Sequence, residues 1–146
     1  MHLAALELAG FKSFAKKTRL TFEPGITCVV GPNGSGKSGA ADGIRWVLGE
    51  QSLKSIRAKH SEDVIFQGSR SRPRLGMAEV ALTLADAEAS GLDTPELVIT
   101  RSIDRSGLSQ YLVNGRPVRL HDLAELLARV GFAQKSYTVI PQGMID

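Results

Sequence analysis

Cysteine is nearly absent. Cys28 stands alone among 146 residues, so no disulfide can form within the chain and a thiolate metal site is not expected. Its apolar neighbours mark it as a small buried hydrophobe. Aromatic residues are scarce at 5%, too few to stack the bases of a single strand, so the core must be built from Leu, Val, Ile and Ala. Nowhere do about 18 apolar residues run together, so no membrane contact through a spanning helix is expected. The opening Met1-His2-Leu3-Ala4-Ala5-Leu6-Glu7 has no basic segment followed by a long apolar run, and no secretory leader is expected. A strong charge imbalance is missing too. The 18 basic and 15 acidic residues give +3, which permits a polyanionic partner without requiring one. These absences lead us to expect a reduced, cytoplasmic protein.

What is present is an alternation of strand and helix patterns, an α/β chain of one domain's length. Residues 3–8 and 18–22 have strand character, and Pro24-Gly25 signals a turn. Residues 26–30 form a nearly continuous apolar run, suited to a strand buried on both faces, as in a sheet covered by helices. Beyond a glycine-rich loop, Ala40, Ala41, Ile44, Val47 and Leu48 fall at helical spacing, and Gly49 is placed to end the helix. Residues 54–74 are polar and basic and predict mostly loop, broken by Val64-Ile65-Phe66. Three strands follow: residues 79–84 with clear alternation, 97–103 with a less clean one, and 110–113 ending at the tight-turn pair Asn114-Gly115. Leu120, Leu123, Leu127 and Val130 mark an amphipathic helix closed by Gly131, and residues 137–140 a final strand. The chain stops at Asp146 soon after, and reads as an element cut short.

The chemistry is carried by Gly31-Pro32-Asn33-Gly34-Ser35-Gly36-Lys37-Ser38, a full match to G-x-x-x-x-G-K-[ST]. The glycines let backbone N–H groups ring a phosphate with no Cβ in the way. The helix entered by the loop presents free N–H groups and a dipole that favours an anion. Lys37 would reach the β- and γ-phosphates, and the Ser38 hydroxyl would ligate Mg²⁺. By composition alone such a match arises in roughly one chain of this length in a hundred. The apolar run before it and the helical pattern after it make chance rarer still.

Further segments accompany the loop in order: Gly10-Phe11-Lys12-Ser13-Phe14, Asp42 through Ser52 with Trp46-Val47-Leu48-Gly49-Glu50, Ile56-Arg57, Glu62 through Ser69, Ala78-Glu79-Val80, Tyr111-Leu112-Val113-Asn114-Gly115, and Ile140-Pro141-Gln142-Gly143. Together they resemble the amino-terminal lobe of bacterial SMC (structural maintenance of chromosomes) ATPase heads, over essentially the whole chain. The resemblance implies a P-loop, ABC-type ATPase lobe spanning residues 1–146, with parallel core strands and an added antiparallel sheet. It implies that the carboxy-terminal lobe, coiled coil and hinge lie outside this chain, along with the signature motif and the Walker B acidic pair. It implies ATP and Mg²⁺ as cofactors, with Ser38 and Gln142 near the metal and Lys37, Gln142 and Arg57 in catalysis. Lys12 and Ser13 would lie near the base or ribose, and Phe11 and Phe14 in the core. The implied partners are the carboxy-terminal lobe of the same head, a second copy through hinge and heads, kleisin-type accessory subunits and double-stranded DNA. The implied role is chromosome condensation and segregation on the nucleoid, and this lobe alone is expected to be inactive. A DNA-repair ATPase of the RecF or RecN kind, or a nucleotide- or DNA-binding piece without hydrolysis, are the alternatives.

Some residues depart from that pattern. Gly39 and Gly43 stand where Asn and Ala are usual, and each weakens a helix by about 1 kcal/mol. Ala58-Lys59-His60 replaces two glycines and a lysine, and Pro141 replaces Ser or Gly. The basic stretch Lys54, Arg57, Lys59, Arg70, Arg72 and Arg74 is compatible with DNA phosphates or with a solvated loop. His2, His60 and His121 are scattered and receive no ligand role.

Overall fold

The computed structural model describes residues 1–22, 35–54, 56 and 58–130, and of residues 35–38 the backbone only. Among these residues six strands form one sheet: β1 (His2–Ala9), β2 (Thr18–Thr21), β3 (Met77–Ala85), β4 (Glu96–Asp104), β5 (Ser109–Val113) and β6 (Arg116–Val118). Their spatial order is β2-β1-β3-β4-β5-β6, and every pair is antiparallel. Helix α1 (Ser35–Val47) packs on β1, β3 and β4, and α2 (Leu120–Arg129) on β5. The segments expected as strands at residues 26–30 and 137–140 lie outside the described residues, as do Cys28, Gly131 and Pro141, and every strand pairing among the described residues is antiparallel.

The alternation of β3 and β4 sets the buried face. Ala78, Val80, Leu82 and Leu84 of β3 meet Leu97, Ile99 and Ile103 of β4, all at most 2% exposed. In β4 the alternation is cleaner than its sequence suggests, because position 101 on the buried phase is an arginine. Strand β1 buries leucines of both parities, Leu3 and then Leu6 and Leu8. Its register against β3 slips between Leu3 and Ala5, and this one-residue bulge returns the later leucines to the core face. Gly49 ends α1 as expected, with φ of 102°.

Asn114 and Gly115, with φ of 48° and 83°, make the two-residue turn whose twist matches a hairpin. The strand after it, β6, was not foreseen, being only three residues with a central proline. Helix α2 starts at Leu120, and the Asp122 carboxylate accepts the Arg119 backbone N–H at 3.2 Å. The described residues between 54 and 74 are mostly loop, as expected, with one short turn of 3₁₀ helix at Ser61–Val64 that drives Val64, Ile65 and Phe66 into the core.

Candidate nucleotide site

Helix α1 begins at Ser35, so Ser35 to Ser38 of the phosphate-loop motif occupy its first turn. Gly31, Pro32, Asn33 and Gly34 lie outside the described residues, as do the side chains of Ser35, Lys37 and Ser38. No acidic residue stands in that first turn, so no carboxylate of the turn competes for its free N–H groups. Arg45, in the last turn, complements the opposite pole. The helix is seated by Ala40, Ala41, Ile44, Trp46 and Val47, all buried.

A turn at residues 10–14 braces α1 one helical turn beyond the motif. A Cβ on Gly39 would fall 2.9 Å from Phe14 Cε2, and one on Gly43 would fall 2.7 Å from Leu8 Cδ2. The two glycines are therefore more than a weakness of the helix: they let it approach β1 and the turn closely. Phe11 is fully buried with its ring 5.2 Å from that of Trp46, and Phe14 is partly buried against the core, as expected of both.

The same turn is joined to the loop behind it. The Lys12 N–H donates to the Val64 carbonyl at 2.6 Å and the Phe66 N–H to the Gly10 carbonyl at 2.7 Å. Lys12 adopts the left-handed region, φ 52°. Its ammonium lies 3.2 Å from the Asp42 carboxylate of α1 and donates to the Ile56 carbonyl. Asp42, with its side chain 3% exposed, also lies 3.8 Å from Arg45. Ser13, beside Lys12, is exposed.

Arg57 and Gln142 lie outside the described residues. Of the basic stretch, Lys54, Lys59, Arg70, Arg72 and Arg74 are exposed. The loop carrying the last three is pinned at its ends by Arg105, which donates to the Phe66 and Leu75 carbonyls at 3.1 and 2.9 Å. His121 pairs with Glu125 on α2 at 3.0 Å. Among the described residues no group of three or more His, Cys, Asp or Glu is placed to hold a metal, and no helix is long and apolar enough to cross a membrane.

Arg101 was missed. It is 6% exposed and lies between two rings, 4.4 Å from the Trp46 centroid and 4.9 Å from that of Tyr111. Its guanidinium donates to the Trp46 and Glu50 carbonyls at 2.8 and 3.1 Å and to Ser109 Oγ at 3.2 Å. These carbonyls belong to the end of α1 and the turn after it, where the helix dipole is negative. Burial pushes the Arg101 pKa below the ordinary arginine value, an effect that Tyr111 opposes. The signal was in the sequence: an arginine in phase with Leu97, Ile99 and Ile103 must find its partners inside.

The profile described as RecF/RecN/SMC N terminal domain matches residues 2–136. The chain belongs to the RecF/RecN/SMC family. Within it, the chain is 48% identical over 147 residues to the chromosome partition protein Smc of Bacillus subtilis, a match covering 100% of this chain and 12% of that protein. It is 49% identical over 145 residues to the Smc of Rhodopirellula baltica, covering 99% of this chain and again 12% of the relative. The chain thus spans about an eighth of the length of these relatives.

Among solved structures, one from work on ATP-driven dimerization and DNA-stimulated activation of SMC ATPases superposes with a TM-score of 0.89 at 37% identity, covering 98% of this chain and 87% of that one. A Smc head bound to the C-winged helix domain of ScpA gives 0.83 at 39% identity, covering 89% and 41%. A RecF structure gives 0.62 at 19% identity over 84% of this chain and 29% of that one, a likeness of fold alone.

Proposed function

We propose that residues 1–146 form the amino-terminal lobe of an SMC-type ATPase head that binds ATP and Mg²⁺ at residues 31–38. The observation that carries this reading is the first turn of α1. It is formed by the last four residues of a complete phosphate-loop motif, holds no acidic side chain, and sits on a helix buried against the sheet. Backbone N–H groups there suit a phosphate. In this reading the head lobe also has parallel core strands beside its antiparallel sheet. Lys37 neutralises the β- and γ-phosphates, Ser38 and Gln142 hold the metal, and Gln142 also orients the attacking water. Arg57 balances charge on the transferring phosphoryl group. Ser13, exposed at the end of the bracing turn, lies on the base and ribose side. Mg²⁺, when bound, supplies neutralisation of the phosphate charge.

Hydrolysis needs the carboxy-terminal lobe and a second head, which supply the acidic pair and the signature motif. In the intact protein, hydrolysis drives opening and closing of a DNA-embracing dimer in chromosome condensation and segregation. A kleisin-type subunit binds the head, as ScpA does in the related structure. The protein works in the cytoplasm, on the nucleoid. The test is calorimetry and turnover with Lys37→Ala. The substitution should abolish Mg-ATP binding while circular dichroism stays unchanged. The chain alone should show almost no turnover, and the carboxy-terminal lobe added in trans should restore it. Robust Lys37-dependent hydrolysis by the 146-residue chain alone would overturn this division of the site.

A further inference from the structure

Lys12 ties three separate segments together. Its backbone N–H holds Val64, while its ammonium meets both Asp42 on α1 and the carbonyl of Ile56, the residue preceding Arg57 in the chain. The ion pair is largely withdrawn from water, the two side chains being 17% and 3% exposed. It is therefore weakly screened, and losing the lysine removes the nearer of two cations beside the buried Asp42, Arg45 standing farther off at 3.8 Å. The positive φ at Lys12 is an uncommon conformation for a lysine, maintained because the turn around it is fixed from both sides. Asp42 stands four residues after Ser38, one helical turn from the motif. The glycines at 39 and 43 bring the same helical face onto Phe14 and Leu8.

We infer that Lys12 is a positioning residue rather than a ligand of the base or ribose: through Asp42 and Ile56 it fixes the phosphate-loop helix relative to the segment that enters Arg57. The catalytic consequence rests on the nucleotide site proposed above; the mechanical one does not. With its ammonium turned inward onto the Asp42 carboxylate and the Ile56 carbonyl, Lys12 acts on the reaction through the spacing of α1 and residue 56. Misplacement of reacting groups by a fraction of an ångström to an ångström is enough to slow an oriented reaction severely.

The test uses the full-length protein with Lys12→Met, Asp42→Asn, the double variant, and Lys12→Met combined with Arg57→Ala. Lys12→Met should lower kcat about tenfold or more, with KM for Mg-ATP within about threefold. It should leave the preference for ATP over GTP and over 2′-deoxy-ATP unchanged. Its effect should be far less than multiplicative with Asp42→Asn, and should vanish in the Arg57→Ala background. A tenfold change in nucleotide preference, or fully independent effects, would overturn the inference in favour of direct contact. Amide hydrogen exchange without nucleotide provides the arm independent of the ATPase reading. Residues 39–43 and 64–66 should lose protection together in Lys12→Met and, more weakly, in the near-isosteric Asp42→Asn, which preserves the fold if the methionine variant does not. Unchanged exchange in both segments would refute the strut. A wild-type protein that fails to bind nucleotide would instead refute the ATPase reading and leave the exchange result to decide this one.

Discussion

Replacing Arg101 removes a cation that the core holds with no carboxylate among its hydrogen-bond partners. Arg101→Met keeps much of the side chain's volume and deprives the Trp46 and Glu50 carbonyls and Ser109 Oγ of their donors. Each charge-assisted bond is worth about 1.5–3 kcal/mol, and stacking on the two rings adds about 0.5–2 kcal/mol. Escape of the freed carbonyls to water and the packing of the methionine return part of this. The expected loss is about 3–4 kcal/mol, equivalent to a fall of roughly 6–14 °C in Tm for a domain of this size. Arg101→Lys retains the charge but not the planar fork, and should lose about 2 kcal/mol. Trp46, the only tryptophan of the chain, lies against the guanidinium, so its fluorescence reports unfolding at the perturbed place. Urea unfolding of the three proteins followed at that tryptophan gives the comparison. If both variants fall within about 0.5 kcal/mol of the parent, the account of Arg101 as a cap on α1 is wrong.

Gly43→Ala gains about 1 kcal/mol of helix propensity yet forces its Cβ onto the fully buried Leu8, and should destabilise by about 1 kcal/mol net. Gly39→Ala meets only the partly buried Phe14 and should be close to neutral; thermal melts rank the two, and the opposite order would refute the close seating of α1. Lys17 and Arg19 hold the Glu7 carboxyl below its ordinary 4.5. A lowered folded pKa contributes stability that is present above about pH 4.5 and lost as pH falls through the folded value, so Glu7→Gln should flatten the acid limb of stability against pH. If the exposed Lys54, Lys59, Arg70, Arg72 and Arg74 contact DNA, duplex binding should be indifferent to sequence, fall steeply with salt, and weaken on charge reversal at Lys59 and Arg72. Salt-insensitive binding in a filter or anisotropy assay would assign these residues to solvent.

Most strands were legible because each buries one face and writes that fact at a period of two, as Ala78, Val80, Leu82 and Leu84 do. Strand β1 was legible as a strand but not in register, since a bulge changes which parity is buried without leaving a residue that demands it. Strand β6 was invisible because three residues with a proline hold no period, and only the turn at Asn114-Gly115 implies a returning partner. The phosphate-loop motif predicted a helix directly after its loop, and α1 begins within the motif itself, at Ser35. The Lys12–Asp42–Ile56 junction was not legible, because it joins residues 44 apart through a backbone carbonyl that any sequence would offer. The glycines at 39 and 43 read as defects of a helix in isolation. Their reason is the surface the helix lies on, which no local pattern contains.

The hairpin turn also bears on how the protein ages chemically. An asparagine followed by glycine is prone to lose its side-chain amide, when the glycine nitrogen attacks the asparagine Cγ, ammonia leaves, and water opens the resulting ring to aspartate or its β-linked isomer. Here the Asn114 Oδ1 accepts the Val98 N–H at 2.7 Å and its Nδ2 donates to the Glu96 carbonyl at 3.3 Å, while its own N–H donates to the Val98 carbonyl at 2.8 Å. To react, the amide must leave both side-chain bonds and rotate toward Gly115. The folded hairpin therefore shields its most fragile bond, and slow accumulation of a one-dalton mass gain at Asn114 would act as a clock of how often the β4–β5–β6 edge opens.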